Sequence, residues 1–280
     1  MTFGRSSPGE GRAGSAMGSP LCEIEGLSDA ASLSELEWRD RRQPGDYVRR
    51  GTTQADAYKR AIVTGARVAI YEDLQRRFAF RGIILEVGSG CCWMSALLSR
   101  ERTVDRIYAA DYSRHLLTIT ALKIMRWLEA RPEKITRVLA DFYRLDFPAE
   151  TFDFVVADST LHHAMDLPRL LKGVARMMKP DAVLVALREP VLPVWRPGLR
   201  GTFARVEREQ GAVENMYSRE EWREHFEAAG LDLALIPQFV TGGIRDNPVK
   251  FIVRAALKWS PARLLNGRLF SRYILVGRKT

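Results

Sequence analysis

The chain has 280 residues, of which 46% are hydrophobic and 28% are charged, a balance typical of a globular protein with one large domain and appendages. It lacks a run of about 18 apolar residues, which argues against a transmembrane helix, and its N-terminus lacks a signal-peptide pattern. Three cysteines, two of them adjacent, fit neither a disulfide framework nor a metal site. They predict a reducing, cytoplasmic location.

The net charge of +9 is concentrated near the C-terminus, because residues 245–280 hold nine basic side chains and one acid, or +8 of that total. Within a helix predicted over 248–260, Lys250, Arg254 and Lys258 lie at i, i+4 and i+8 and form one stripe. Such a stripe is most often a solvated face, but it can also contact an anionic membrane or an anionic substrate. Nucleic acid is less expected, since few aromatic side chains lie between the basic ones for base stacking.

The first part of the chain predicts a tail and a helical cap. Residues 1–30 begin with a Gly-, Ser- and Pro-rich stretch without periodicity, which predicts a disordered tail. Residues 31–80 are predicted to be a helical cap, with apolar residues at mixed helical spacing over 54–80. These helices can cap the ligand edge of a sheet or cover its side, and the pattern does not separate the two.

Residues 83–99 predict a strand, a glycine turn and a helix. The turn is Gly88-Ser89-Gly90, and a helical pattern begins at Trp93. This order predicts a ligand site at the carboxyl edge of a parallel sheet, because glycine lets the backbone approach a ligand and a helix start offers unpaired N–H groups. The absence of a third glycine and of a Lys-Ser/Thr pair argues against a phosphate-binding loop.

Two acids accompany this turn. Glu86, inside the strand, suits a ligand that carries positive charge, or it is a solvated strand end. Asp111 ends the next predicted strand, 106–111, and lies 23 residues after Gly88, close to the spacing of a carboxylate that binds ribose hydroxyls. The alternative is a cap for the helix predicted over 116–128. The glycine turn favours the ribose.

Strands and helices continue to alternate along the chain, which predicts a doubly wound parallel sheet in a domain over 81–280. Segments at 190–217 and 239–268 are long for simple connections, which is typical of functional loops. The predicted strands are 135–139, 151–158, 182–187, 231–237 and 273–277, and the predicted helices are 168–178 and 218–230.

Together these segments resemble the class I S-adenosylmethionine-dependent methyltransferases over roughly residues 80–190. The resemblance rests on the order and spacing of Leu85-Glu-Val-Gly-Ser-Gly90, Asp111, Ala140-Asp141-Phe142, Phe152-Asp-Phe-Val-Val-Ala-Asp158, Leu161-His-His163 and Met178-Lys-Pro180. It implies a Rossmann-like α/β fold with a seven-stranded sheet, mostly parallel with an antiparallel last strand. It also implies S-adenosyl-L-methionine as the cofactor.

In that family the glycine turn holds the methionyl part of the cofactor. The resemblance implies that Asp111 binds the ribose hydroxyls, that Asp141 accepts from the adenine amino group, and that Tyr112 stacks on the adenine. It places Glu86 near the sulfonium. The full set of implied cofactor-binding residues is Glu86, Gly88, Ser89, Gly90, Asp111, Tyr112, Asp141, Phe142 and Asp158.

Two departures from the family pattern affect these expectations. Cys92 stands where the family usually has a third glycine, so the strand and the helix are expected to lie slightly further apart. No Asn/Asp-Pro-Pro-Tyr run follows the fourth strand, which weakens the case for methylation of amines on nucleic-acid bases.

Methyl transfer from a sulfonium needs an aligned nucleophile more than acid–base chemistry, but a hydroxyl acceptor benefits from a base. His162, His163 and Glu189 follow predicted strands and are expected to face the cavity, so they are the candidate catalytic residues. No metal ligands are predicted.

The sequence therefore predicts a methyltransferase for a small or lipid-linked metabolite, with O-methylation slightly favoured. The alternatives are an RNA methyltransferase that uses the basic C-terminal region, a catalytically silent scaffold at a membrane surface, and an NAD-dependent oxidoreductase. Glu86 and Asp141 argue against the oxidoreductase.

Overall fold

The computed structural model describes residues 19–23, 53–64, 67–193, 197–198, 200–201, 205, 213–237 and 272–279. The predicted basic helix 248–260, the insertion 239–268 and most of the predicted disordered tail and cap before residue 53 lie outside this described part. Only portions of the insertion 190–217 fall within it.

Eight strands form one mixed sheet. Their order across the sheet is β1-β4-β3-β2-β5-β6-β8-β7. All pairs among β1 to β6 are parallel, whereas β8 is antiparallel to both β6 and β7. The mostly parallel sheet with an antiparallel last strand is thereby confirmed. The strands are Leu21–Glu23 (β1), Gly82–Val87 (β2), Val104–Asp111 (β3), Ile135–Leu139 (β4), Phe152–Asp158 (β5), Met178–Pro190 (β6), Leu231–Pro237 (β7) and Arg272–Lys279 (β8).

The predicted count of seven strands is corrected to eight, and the additional strand β1 lies in a segment predicted to be disordered. Strand β1 has three residues, too few to show periodicity. Distant contacts hold it: Arg137 Nη2 donates to the carbonyl oxygen of Ser19 at 2.7 Å, across 118 positions, and Ser19 Oγ donates to the carbonyl oxygen of Ile135 at 2.8 Å. Such contacts leave no local sequence pattern.

Helices cover both faces of the sheet. Alternate strand residues point to opposite faces, so that Ile84 packs in one apolar cluster and Leu85 in the other. The first cluster includes residues of α1 to α4, and the second includes residues of α5 and α6. The helices are Gln54–Thr64 (α1), Arg67–Arg77 (α2), Trp93–Leu98 (α3), Ala121–Trp127 (α4, preceded by a π-helical turn over Leu116–Thr120), Leu167–Met177 (α5) and Arg219–Glu227 (α6).

The helices in the predicted cap segment both cover a side of the sheet and reach the cavity at its edge. Ile70 and Leu74 of α2 are buried in the first cluster, and so cover the sheet's side, whereas Tyr58 and Arg67 line a cavity at its edge. A cap extending over 31–80 stays a prediction. No helix of the described part is long and apolar enough to cross a membrane.

The sheet order places the chain's best ligand position at the carboxyl edge. Strand β2 has β3 on one side and β5 on the other, so the strand order reverses there. Ligands of doubly wound sheets bind at such a reversal, outside the carboxyl ends of the strands. The glycine turn follows β2 directly.

Candidate active site

A cavity of about 190 Å³ lies at this edge. Eight of the nine predicted cofactor-binding residues line it: Gly88, Ser89, Gly90, Asp111, Tyr112, Asp141, Phe142 and Asp158. The sheet order β4-β3-β2-β5-β6 sets the strand ends in a row. The cavity therefore extends from Asp141, after β4, past the glycine turn to Arg188 on β6.

The glycine turn depends on left-handed backbone. Gly88 has φ 65°, and a Cβ built there would lie 2.3 Å from the Thr160 side chain. Cys92, at the position of the family's usual third glycine, also adopts a left-handed conformation, with φ 56°. Its side chain is fully buried. Cys92 thus adopts the left-handed backbone conformation that a glycine would adopt there, but a cysteine is strained in it and a glycine is not.

Asp111 ties the turn to the end of β3. Its Oδ2 accepts from the N–H of Gly90 at 2.7 Å, and its Oδ1 accepts from the N–H of Ser113 at 2.8 Å. The carboxylate therefore lines the cavity and also serves the backbone after the strand. Its binding of ribose stays a prediction.

Asp141 leaves one oxygen for a ligand. Its Oδ1 accepts from the N–H of Tyr143 at 2.9 Å and so caps the 3₁₀ turn Phe142–Arg144. Its Oδ2 is buried and has no hydrogen-bond partner within the described residues. Because an unsatisfied buried acceptor is costly, this oxygen suits a donor such as an adenine amino group.

Asp158 is the centre of a charged network. Arg188 binds it in a bidentate manner, with Nε 2.6 Å from Oδ1 and Nη2 2.8 Å from Oδ2. The indole Nε1 of Trp93 donates to Oδ2 at 2.7 Å. Asp158 and Arg188 thus neutralise each other in the wall of the cavity. Because both oxygens of Asp158 already accept hydrogen bonds, the carboxylate has little capacity left to bind a cofactor.

Arg67 contributes a second guanidinium to the same place. Its Nε lies 3.9 Å from Asp158 Oδ2, and its guanidinium lies over the Trp93 ring, 5.7 Å from the ring centroid. Nε and Nη1 are buried and lack a hydrogen-bond partner in the described part of the chain. Burial, followed by the charge of Arg188, lowers the pKa of Arg67. Two arginines facing one carboxylate leave an excess of positive charge for an anionic group of a ligand.

Glu86 does not line the cavity, and its place near the sulfonium stays a prediction. It is fully buried behind the glycine turn, where its Oε2 accepts from the N–H of Ser95 at 3.0 Å and from the Ser95 hydroxyl. Burial raises the pKa of Glu86 to about 8, although these two donors act in the opposite direction. Since the side chain points into the helix start, it supports the turn from behind.

Of the three predicted catalytic residues, only His163 lines the cavity. Glu189 is fully buried. Its oxygens accept hydrogen bonds from the N–H groups of Thr160, Leu161 and His162 at 2.9, 3.0 and 3.1 Å. It also binds His162 Nδ1 at 2.8 Å. The expectation that Glu189 and His162 face the cavity is corrected accordingly, and a catalytic role for His163 stays a prediction.

His162 lies between two carboxylates. Its Nε2 is 3.5 Å from Glu214 Oε2, on the side opposite Glu189. Burial alone would lower the pKa of His162, but the charge of Glu189, its hydrogen bond to the ring and then the nearby Glu214 carboxylate raise it to about 9.

Sequence reasoning missed four residues that line the cavity, Tyr58, Arg67, Trp93 and Arg188. It also missed Glu214, which lies beside His162. Arg188 had a usable signal, since it ends a predicted strand beside Glu189. Arg67 and Glu214 had none, because each reaches the site from a segment far along the chain.

Comparison with known proteins agrees with this geometry. Residues 85–186 match the family model described as "Methyltransferase domain". Over residues 85–186, and with this sheet order and glycine turn, the chain is similar to the class I S-adenosylmethionine-dependent methyltransferases.

Two curated proteins are similar to this chain in sequence. The mitochondrial arginine-hydroxylase NDUFAF5 of Rattus norvegicus is 34% identical over 123 residues, which cover 43% of this chain and 32% of that protein. A demethylmenaquinone methyltransferase of Staphylococcus aureus (strain JH9) is 26% identical over 195 residues, covering 64% of this chain and 78% of that protein. The match to the arginine-hydroxylase thus spans about a third of that protein's length.

A solved structure of low sequence identity has the same fold. It is the complex of the Haloferax volcanii Trm112 methyltransferase activator with a methyltransferase, with a TM-score of 0.58 at 16% identity. The match covers 90% of this chain and 99% of that chain.

S-adenosyl-L-methionine is the cofactor of this family, and the cavity residues fit it. The orphaned Asp141 Oδ2 suits the adenine amino group, and the orphaned Arg67 nitrogens suit the methionyl carboxylate.

Proposed function

We propose that this chain transfers the methyl group of S-adenosyl-L-methionine to a hydroxyl group of a small or lipid-linked acceptor, bound beside His163. The observation that carries the proposal is the extent of the cavity along the sheet edge. It begins at the predicted adenine and ribose acids after β4 and β3, and it continues past the glycine turn to the ends of β5 and β6. We place the acceptor in this second part, where His163 lines the cavity.

The cofactor, when bound, supplies a methyl group already activated on a sulfonium. The protein's task is therefore to align an acceptor oxygen with that methyl group and to exclude water. The row of strand ends orients the cofactor: Asp141 and Asp111 lie at one end, and Arg67 lies beside the glycine turn at the other.

A hydroxyl acceptor must lose its proton during transfer, and His163 is the residue placed to promote this loss. Its Nδ1 lies 2.6 Å from the carbonyl oxygen of Val213. A carbonyl only accepts, so Nδ1 carries a hydrogen, and in the neutral imidazole the lone pair is then on Nε2. A neutral imidazole oriented in this way is a suitable general base.

The Staphylococcus aureus relative is by its name a demethylmenaquinone methyltransferase, which supports a small-molecule acceptor over a nucleic acid. A peripheral membrane contact through residues 248–260, and a cytoplasmic location, remain predictions from the basic stripe and the cysteines. None of the three cysteines is paired in a disulfide.

The test is incubation of the full chain with methyl-labelled S-adenosylmethionine and separate pools of phenolic and quinol metabolites, lipid-linked quinols, RNA and arginine-containing peptides. The proposal expects label in a hydroxyl-bearing small molecule. His163→Gln should lower the rate by at least about 100-fold, the lower range for a general base, whereas His115→Gln, outside the cavity lining, should leave the rate unchanged. Label in RNA or peptide alone would contradict the proposal.

A further inference from the structure

We propose that His162, His163 and Glu214 form a binding site for a divalent transition-metal cation at the acceptor side of the cavity. One ring nitrogen of each histidine and one carboxylate oxygen of Glu214 lie within 4.8 Å of one another. Two imidazoles and one carboxylate form the ligand set of many catalytic Zn²⁺ sites and of Fe²⁺ sites, which keep open positions for water or substrate.

The spacing of the ligand atoms suits a cation better than a hydrogen bond. His162 Nε2 and Glu214 Oε2 are 3.5 Å apart, which is beyond the usual range of a hydrogen bond. Two ligands that each lie about 2.0–2.2 Å from one tetrahedral cation have a separation close to this value.

Glu189 supplies the outer contact that histidine ligands usually have. It binds His162 Nδ1 at 2.8 Å, and three backbone N–H groups hold its carboxylate in place. This contact fixes the imidazole with Nε2 toward Glu214. Metal-bound histidines almost always donate their second nitrogen to such a carboxylate or to a carbonyl. His163 has the corresponding carbonyl contact, to Val213.

The segment that carries Glu214 is fastened to the histidine turn on both sides. The carbonyl of Val213 binds His163, the N–H of Asn215 donates to the carbonyl oxygen of His162 at 2.9 Å, and Asn215 Nδ2 donates to the carbonyl oxygen of Ala164 at 2.9 Å. Glu214 is therefore held beside the histidines before any ligand arrives, which reduces the entropy that binding would cost.

The position of this site gives it a role in the reaction, and this role rests on the proposed function. His163 lines the cavity, so an acceptor oxygen can reach an open position of the cation. A Lewis acid lowers the pKa of a hydroxyl that it binds. With His163 bound to the cation, solvent takes the hydroxyl proton in place of this histidine. The oxygen lone pair forms the bond to the methyl carbon, and the carbon–sulfur bond breaks to give the neutral thioether.

The test is calorimetric titration of Zn²⁺ into the full chain after treatment with a chelator, with Co²⁺ as a spectroscopic probe. We expect one Zn²⁺ site per chain. Glu214→Gln and His163→Gln should each weaken Zn²⁺ binding by at least about 100-fold, the upper range for loss of an outer contact. The exposed Glu220 and the partly exposed His115 provide matched controls, and Glu220→Gln and His115→Gln should bind Zn²⁺ as the wild type does.

Three results would overturn the site, and two of them come from the metal titrations alone. One is equal Zn²⁺ affinity in the wild type and in both ligand variants, which would leave a protonated His162 bridging Glu189 and Glu214. The other is thiolate-to-cobalt charge-transfer absorption, which would place the ion on a cysteine. Methyl transfer that survives chelation, with no Zn²⁺ binding, would overturn this inference and leave the proposed function standing. Zn²⁺ binding without methyl transfer to any pool would overturn the proposed function and leave the metal site standing.

Discussion

The two ends of the cavity are built in different ways. At the ends of β3 and β4, each acid binds the backbone two residues further along: Asp111 accepts from Ser113, and Asp141 accepts from Tyr143. At the ends of β5 and β6, charged side chains bind one another across the fold. Asp158 pairs with Arg188, and His162 pairs with Glu189.

This difference separates ligand binding from stability. Acids of the first end bind nearby backbone and line the cavity, so their loss should affect the cofactor more than the fold. At the second end, oppositely charged side chains are buried together, and removing one of them leaves the charge of the other unpaired. Substitutions in these direct pairs should affect the fold more than the cofactor, whereas Arg67, 3.9 Å from Asp158 and with two nitrogens that lack a hydrogen-bond partner in the described part, is the exception.

The largest effect is expected from Glu189→Ala. This change leaves three backbone N–H groups and His162 without their acceptor, so the free energy of unfolding should fall by about 3–5 kcal/mol. Urea denaturation in the presence of a chelator measures it. Glu214→Gln, at the partly exposed carboxylate on the other side of His162, should cost at most about 1 kcal/mol. Equal losses would contradict the contrast between a fully buried and a partly exposed partner.

A pH-dependent effect is expected from Glu86, which lies behind the first end. Its folded pKa of about 8 exceeds the ordinary value of 4.5, so the folded chain holds a proton that the unfolded chain releases. The resulting stability is complete below pH 4.5, declines as the pH rises, and is exhausted above about pH 8.

Glu86→Gln removes this titration. Between pH 5 and pH 7 the wild type should therefore lose about 3 kcal/mol more of its unfolding free energy than the variant does. Urea denaturation at the two pH values measures the difference. Parallel pH profiles would show that Glu86 is ionised in the folded chain.

Arg67→Met is expected to weaken the cofactor without weakening the fold. The guanidinium has two buried nitrogens without a partner in the described part, so its removal should leave the unfolding free energy unchanged or slightly higher. Affinity for S-adenosylmethionine should fall by about 10- to 100-fold, the value of a hydrogen bond to a charged group. Calorimetry gives both quantities, with the exposed Arg60→Met as the control. A large loss of stability with unchanged affinity would make Arg67 part of the structural network.

The smallest effect is expected from Cys92→Gly. Glycine removes the strain of a left-handed cysteine, about 1–2 kcal/mol, but it also removes a fully buried side chain of comparable value. The melting temperature should therefore change little. Cys92→Val keeps the bulk and makes the strain worse, so it should melt clearly lower; equal melting of both variants would argue that the backbone conformation at Cys92 is not strained.

The contrast between the two ends also explains what the sequence could predict. Strands β4 and β7 were predicted with their observed bounds, since their apolar runs are bounded by turn residues. Eight of the nine predicted cofactor residues line the cavity, because strand ends and short turns are local features. Strand β1, Arg67 and Glu214 depend on contacts that only the folded chain brings together. For Glu86 the position was predicted, but its direction into the helix start was not.

The most direct measurement is calorimetric titration of S-adenosylmethionine into the wild type, Asp111→Ala and Asp105→Ala, the last being an exposed acid on the same strand. If the row of strand ends is the cofactor site, the wild type should bind, Asp105→Ala should bind equally well, and Asp111→Ala should bind about 10- to 100-fold more weakly. A folded wild type that does not bind, or an Asp111→Ala variant that binds as tightly, would contradict the assignment of this cavity.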